Sequence, residues 1–277
     1  MPIYTCRLER MQVSIISEMV NQLQITEGLE LVDLALYLPQ ARTLVLADVH
    51  LGFEQALHRE GTLVPRGHFQ QLLARLERVL VQLDASRENP LNRVILNGDL
   101  SHQFGHLTIR EWTEARELLA YLENVSQQII VIEGNHDVNV EVLSEASRKA
   151  KIFAMYELGD LLFLHGHSEP QELSPQIQTL VIGHEHPAVG LRDSVTGRVE
   201  LYKCFLVGRY GDRRLIVQPS FNPWTQGSDL LRERCLSPLL TEEALGKFEV
   251  YPVSDEGKVY RFGVFRNLTA VGSRVRG

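Results

Sequence analysis

An α/β fold of two β-sheets covered by helices is what the sequence predicts, and three observations predict it. Apolar runs alternate with amphipathic periods from Thr43 to Ile132, short strands without helical periods occupy Lys151 to Gln218, and ligand-type polar residues close five of the apolar runs. Alternating strands and helices imply a parallel sheet with helical cover, and the closely spaced short strands imply a second, more antiparallel sheet. One domain over residues 1–277 accounts for the pattern, with residues 1–24 as an N-terminal extension and residues 225–277 as a C-terminal one.

Taken in order, residues 8–24 are expected to form a short amphipathic helix, because Met11, Ile15, Met19 and Leu23 recur every four residues. Leu29–Leu38 and Leu44–Ala47 read as strands of a hairpin. Gly52–Pro65 lacks a clean period and is expected to be a loop with at most a helical turn. Pro65 opens a helix carrying Phe69, Leu72, Leu73, Leu76, Val79, Leu80 and Leu83 on one face. Arg93–Leu96 is the next strand, followed by a helix over Thr108–Leu122 and the β-branched strand Gln128–Ile132. A third helix is expected at about Asn139–Ala150. Short strands then follow at Lys151–Met155, Leu161–Leu164, Thr179–Ile182, Ala188–Leu191, Val199–Val207 and Arg214–Gln218. Phe248–Pro252 and Val259–Phe265, joined by Asp255-Glu256-Gly257-Lys258, suggest a final hairpin, and the basic tail Ser273–Gly277 should fray.

Composition narrows the function classes. A chain of 277 residues with 44% apolar and 23% charged residues can bury a core without staples. Cys6, Cys204 and Cys235 lie far apart, which argues against a zinc ribbon or a disulfide framework and for a reducing compartment. No stretch approaches the apolar length of a membrane span, and the start lacks a secretory pattern, so the expectation is a cytoplasmic protein with no membrane partner. The formal net charge of −7 argues against gripping nucleic acid by overall positive charge. Bound divalent cations would reverse that sign locally.

The chemistry lies at the strand ends. Asp48-x-His50, Gly98-Asp99-x-x-His102, Gly134-Asn135-His136-Asp137, His165-Gly166-His167 and Gly183-His184-x-His186 each follow an apolar run. In α/β sheets ligands gather at the carboxyl ends of strands, so the fold should carry all five motifs to one edge. Asp48 and His50 are two residues apart at the end of a strand and so share a side. Most of the ten histidines fall in or beside these motifs. The set offers two carboxylates, an amide oxygen and several imidazoles. One metal ion would not need so many donors, whereas two ions bridged by a shared carboxylate would use them all. Mixed N/O ligation without thiolate suits manganese, iron, zinc or cobalt. Two such ions about 3.5–4 Å apart activate a water and clamp the oxygens of an in-line displacement, for which phosphate esters are the natural substrates.

In this order the five motifs resemble the series of the calcineurin-like metallophosphoesterases, and the resemblance runs from about residue 29 to residue 222. More narrowly, Ala47-Asp48-Val49-His50-Leu51-Gly52-Phe53-Glu54, Asn97-Gly98-Asp99-Leu100-Ser101-His102 and Pro219-Ser220-Phe221-Asn222 are similar to the archaeal SbcD-related phosphoesterases and the DNA-ligase-associated metallophosphoesterases. The resemblance implies a four-layer αββα sandwich of the metallo-dependent phosphatase type, in which two mixed sheets pack together under helices. It also implies two divalent ions, manganese first, with iron, zinc, cobalt or nickel as alternatives. Asp48, His50 and His186 would hold one ion, and Asn135, His165 and His184 the other, with Asp99 bridging them. His136 would protonate the leaving oxygen or hold the phosphate.

Around this set, Asp137 is expected either to orient the His136 ring or to cap the following helix. His102 and His167 either touch substrate, support the ligands from behind or are exposed. Glu54 either steadies His50 or faces solvent, while Arg209, Arg213 and Arg214 either follow a polynucleotide backbone or form a solvated face. Phe221 and Trp224 either stack on a base or are buried. The implied activity is phosphodiester hydrolysis, with single-stranded or damaged DNA as substrate. A nucleotide or other small phosphoester is the alternative, and a non-catalytic protein-binding scaffold is the remaining class. Only 55 residues follow Asn222, too few for a large capping domain that would engage an ATPase partner. Oligomeric state is not encoded in any of these motifs.

Overall fold

The computed structural model describes residues 19–102, 108–137, 147–192 and 197–268. Two large sheets dominate it. The first has seven strands in the order β2-β3-β4-β5-β6-β7-β8: β2 (Gln22–Thr26), β3 (Leu29–Val32), β4 (Ala35–Leu38), β5 (Thr43–Ala47), β6 (Leu91–Asn97), β7 (Ser126–Ile132) and β8 (Ala150–Phe153). Strands β2 to β5 are antiparallel neighbours, and β5 to β8 are parallel. The parallel pairs need crossovers, which α2 (His68–Gln82) and α3 (Ile109–Val125) supply. Thr108 caps α3 through a capping box with Glu111, which explains why that helix begins where the periodicity places it.

The second sheet has the order β15-β12-β13-β14-β11-β10-β9, with β16 paired to β13. Its strands are β9 (Met155–Leu158), β10 (Leu161–Leu164), β11 (Thr179–Ile182), β12 (Pro187–Arg192), β13 (Val199–Tyr210), β14 (Arg213–Val217), β15 (Ser228–Asp229) and β16 (Glu249–Pro252). Parallel pairing of β10, β11 and β14 lies among antiparallel neighbours, so this sheet is mixed. Side chains alternate across it. Phe163, Val181, Phe205 and Ile216 join the core of the first sheet together with Val45, Ile95 and Val131. Leu162, Leu180, Leu206 and Leu215 face the other way, onto Phe248, Phe262, Phe265 and the short helix α4 (Glu242–Leu245). The expected two-sheet sandwich is thus present. On the outer face of the second sheet the cover includes α4 and the irregular chain around it.

Several local expectations need correction. The helix proposed for residues 8–24 ends in strand: β1 (Met19–Val20) and β2 occupy its last part, and residues 1–18 lie outside the described residues. The stretch after Gly52 contains a helix, α1 (Phe53–Arg59), whose apolar face is hidden in sequence because Glu54 is one of its buried residues. The helix expected from Pro65 starts at His68. Ala150 begins β8, and residues 139–146 of the expected third helix lie outside the described residues, as does the basic tail. The final hairpin is only partial. Glu249 bridges to Val264 and Val253 to Val259, but β16 ladders onto β13, and β17 (Val259–Tyr260) pairs with β1.

Candidate metal centre

Each motif sits at the carboxyl end of its strand: Asp48 and His50 after β5, Asp99 after β6, Asn135 and His136 after β7, His165 after β10, and His184 and His186 after β11. Packing the sheets face to face brings these ends together. His50 Nε2 lies 3.1 Å from His186 Nε2, and His186 Nε2 lies 3.5 Å from Asp48 Oδ2. On the other side His184 Nδ1 lies 3.2 Å from His165 Nε2, which is 2.8 Å from Asn135 Oδ1 and 3.4 Å from Asp99 Oδ2. Donor atoms of Asp48, His50 and His186 fall within 4.8 Å of one another, as do those of Asp99, His165 and His184. Asp99 Oδ2 is also 3.9 Å from His50 Nε2, so the carboxylate stands between the two sets.

The backbone is shaped for this convergence. Asp48, His50, Asp99, His184 and His186 all have positive φ, between 41° and 61°. Two glycines permit the close approach. A Cβ on Gly98 would sit 2.0 Å from His165 Nδ1, and one on Gly134 would sit 2.0 Å from Asp99 Oδ1. Neither position can carry a larger residue without moving a donor.

Charge is distributed to match. Burial, then the neighbouring His186, holds His50 well below the usual histidine range. Burial and the nearby His165 hold His184 at about 4. His165 is raised: burial opposes its charge, but the hydrogen bond it donates to Asp99 and the charge of Asp48 prevail. Asp99 is lowered against the cost of burial by His165, His50 and the amide of His136. Two carboxylates, one amide oxygen and four imidazoles thus point into one small space, a donor set that fits a pair of divalent cations of the borderline kind.

His136 Nε2 faces this space 3.8 Å from Asp99 Oδ2, and its Nδ1 is 2.6 Å from the carbonyl oxygen of His102. The ring is therefore oriented by His102, not by Asp137. Asp137 instead accepts hydrogen bonds from the amides of Leu100, Ser101 and Gly134, tying the β6 and β7 motifs together. His102 is half-buried, with its Nδ1 3.4 Å from His50 Nδ1. His167 is exposed and lies farther out, its ring centroid 6.2 Å from that of His184.

Other residues around the centre resolve as follows. Glu54 neither steadies His50 nor faces solvent. It is buried and accepts from the amides of Gly67 and His68 while pairing with Arg110. Phe221 is fully buried and has no face to offer a base. Trp224 packs edge-on to His68 and donates to Gln71. Arg213 and Arg214 begin β14, which runs parallel to β11, so they sit at the sheet edge opposite the ligands; Arg209 and Arg213 donate to Asp212 and Ile177 there. Sequence reasoning placed Ser220 and Asn222 in a motif without giving them a role, and did not single out Glu185 or His68. Ser220 and Asn222 bond the carbonyls of Asp48 and His50, and Asn222 Oδ1 is 2.8 Å from Nε2 of the buried His68. The one available signal was the Pro219–Asn222 motif, whose polar residues follow a strand as the ligands do.

Two stacked sheets with paired N/O donor sets at one shared edge define an α/β architecture suited to binding metal ions. Residues 41–246 match the model of the calcineurin-like phosphoesterase family, and the chain belongs to that family of hydrolases acting on phosphate esters. Among solved structures it is similar to the nuclease MPE of Pseudomonas putida, with 22% identity and a TM-score of 0.56 over 83% of this chain and 95% of that one. It also aligns with YfcE, a phosphoesterase from E. coli, at 14% identity and a TM-score of 0.38 over 78% of this chain and 95% of that one, a likeness too slight to bear weight. No curated protein matches the chain in sequence. Among the described residues no helix is long and apolar enough to cross a membrane.

Proposed function

We propose that the chain is a two-metal phosphodiesterase whose substrate is DNA, single-stranded or damaged. The observation that carries the metal reading is the pair of donor sets on either side of Asp99. Asp48, His50 and His186 would hold one ion; Asn135, His165 and His184 would hold the other; and Asp99 would serve both. Divalent cations bound there would supply an activated water and offset the phosphate charge. Mixed nitrogen and oxygen donors without sulfur suit manganese, iron, zinc or cobalt, and the family resemblance puts manganese first among them. The chain's own residues do the rest. The two carboxylates fix the imidazoles that face them. His136 donates its Nε2 proton to the departing oxygen, and the His102 carbonyl, accepting from Nδ1–H, keeps that nitrogen pointed into the site.

The choice of DNA is supported by the motif resemblance to SbcD-related and DNA-ligase-associated enzymes, and by the sharing of a fold with a nuclease. The formal net charge of −7 favours a second reading, a small phosphodiester held mainly at the centre. One experiment separates them: manganese-dependent hydrolysis of single-stranded DNA, duplex DNA, a cyclic nucleotide and bis-p-nitrophenyl phosphate. Cleavage of single-stranded DNA is expected. Turnover of the small esters with no polynucleotide cleavage would remove DNA as the substrate, and no turnover with any divalent metal would leave a binding scaffold.

A further inference from the structure

A lysine inside the second sheet reaches the candidate centre without touching it. Lys203 lies on β13, in the run Leu201-Tyr202-Lys203-Cys204-Phe205, where a cation is out of place. Its ammonium has three protons and finds three acceptors: the carbonyl oxygen of Ser220 at 2.9 Å, the carbonyl oxygen of Asn222, and Thr225 Oγ1 at 3.0 Å. All three belong to the loop that follows β14. Without the lysine, the Asn222 carbonyl would keep only the donor from Thr225 Oγ1, and the loop's oxygens would face an apolar strand.

The same loop lies along the end of β5. Phe221 N donates to the carbonyl of Ala47 at 2.8 Å, Ser220 Oγ to the carbonyl of Asp48 at 2.7 Å, and Asn222 Nδ2 to the carbonyl of His50 at 3.4 Å. Ala47 and Ser220 also form a parallel bridge between the two sheets. Asp48 and His50 have φ of 52° and 49°, a conformation that non-glycine residues keep only where the surroundings hold them. Lys203 gathers the loop from one side, and the loop holds those two residues from the other.

We propose that Lys203 is a positioning residue for the Asp48/His50/His186 half of the metal centre, acting through the Ser220–Thr225 loop. The inference rests on the two-metal reading above. It predicts an asymmetric defect, because nothing in the loop bonds to Asp99, Asn135, His165 or His184 in the way it bonds to the β5 end.

The test is manganese binding by the full chain, by calorimetry and by elemental analysis after dialysis, with circular dichroism to establish folding. Lys203→Met keeps the length of the side chain and removes its three donors. The expected result is a folded chain that retains one ion per molecule where the native chain retains two. Its second binding step should weaken by about 10- to 100-fold, the size usual for residues behind a metal ligand. Raising the manganese concentration should restore activity. Thr225→Val removes one acceptor and should weaken the same step by a smaller factor. A Lys203→Met chain that binds two ions as the native chain does overturns the inference. So does an unfolded Lys203→Met chain alongside a Thr225→Val chain with native manganese binding, which would make the lysine merely structural. A native chain that takes up no manganese overturns the two-metal reading and this inference with it, whereas two ions in both chains overturn this inference alone.

Discussion

The two sheets meet at one edge but bring different things to it. The first contributes both carboxylates, Asp48 at 0% exposed and Asp99 at 2%, together with His50 at 3%. The second contributes imidazoles, of which His184 and His186 are partly exposed. In the first sheet the strands that carry the motifs are separated by helices α2 and α3; in the second, β10 and β11 are separated by the irregular segment 165–178. Yet each donor set crosses the boundary. Asp48 and His50 meet His186, and Asp99 meets His165 and His184. Neither of these two sets is held by one sheet alone, so both depend on how the sheets pack, whereas a third group of close donors, His50, His102 and His136, lies wholly at strand ends of the first sheet. Both carboxylates sit on one side, and three of the four candidate imidazole ligands sit on the other.

The sharpest way to break this comparison is Asp99→Ala. Because that carboxylate stands between the sets, its loss should remove both ions and reduce hydrolysis to background; a variant that still binds two ions per chain would show that the halves are independent. Next in size is His136→Ala, which should leave both ions in place and lower turnover by about 10²–10⁴, the range for a general acid. Unchanged turnover of a substrate with a poor leaving group would remove His136 from that role. The smallest effect concerns the second sheet alone. Glu185, buried between His184 and His186, accepts at 2.8 Å from the amides of Leu236 and of Ser237. Glu185→Ala leaves those amides without an acceptor and should cost about 1–3 kcal/mol in denaturant unfolding. A wild-type unfolding midpoint would mean that residues 236–237 do not hold the ligand loop.

How much of this was legible in the sequence differs between the sheets for the same physical reason. Strands β5, β6 and β7 are buried on both faces, so they appear as continuous apolar runs, and a polar residue at their ends stands out. Helices α2 and α3 show their period because one face packs on that sheet. Helix α1 did not show, since its inner face includes a buried carboxylate that reads as polar. Asp137 and Glu54 were read toward the metal site because acids beside ligands invite that reading. Both instead satisfy loop amides, a role fixed by tertiary proximity that no spacing reveals. Lys203 was silent for the converse reason: a single lysine in a strand looks like an outward-facing residue until the fold lays a loop across it.

The left-handed residues have a consequence for how such a chain can change over time. Among the described residues, eight that are not glycine have positive φ, and five of them are Asp48, His50, Asp99, His184 and His186. Each carries a backbone cost of roughly 1–2 kcal/mol that glycine would not. The chain therefore maintains its reactive edge against a standing thermodynamic gradient. At His50 and His186, whose φ are 49° and 46°, drift toward glycine would relax the backbone while erasing the chemistry. A lineage released from the need to hydrolyse anything would find an inert scaffold downhill from the enzyme.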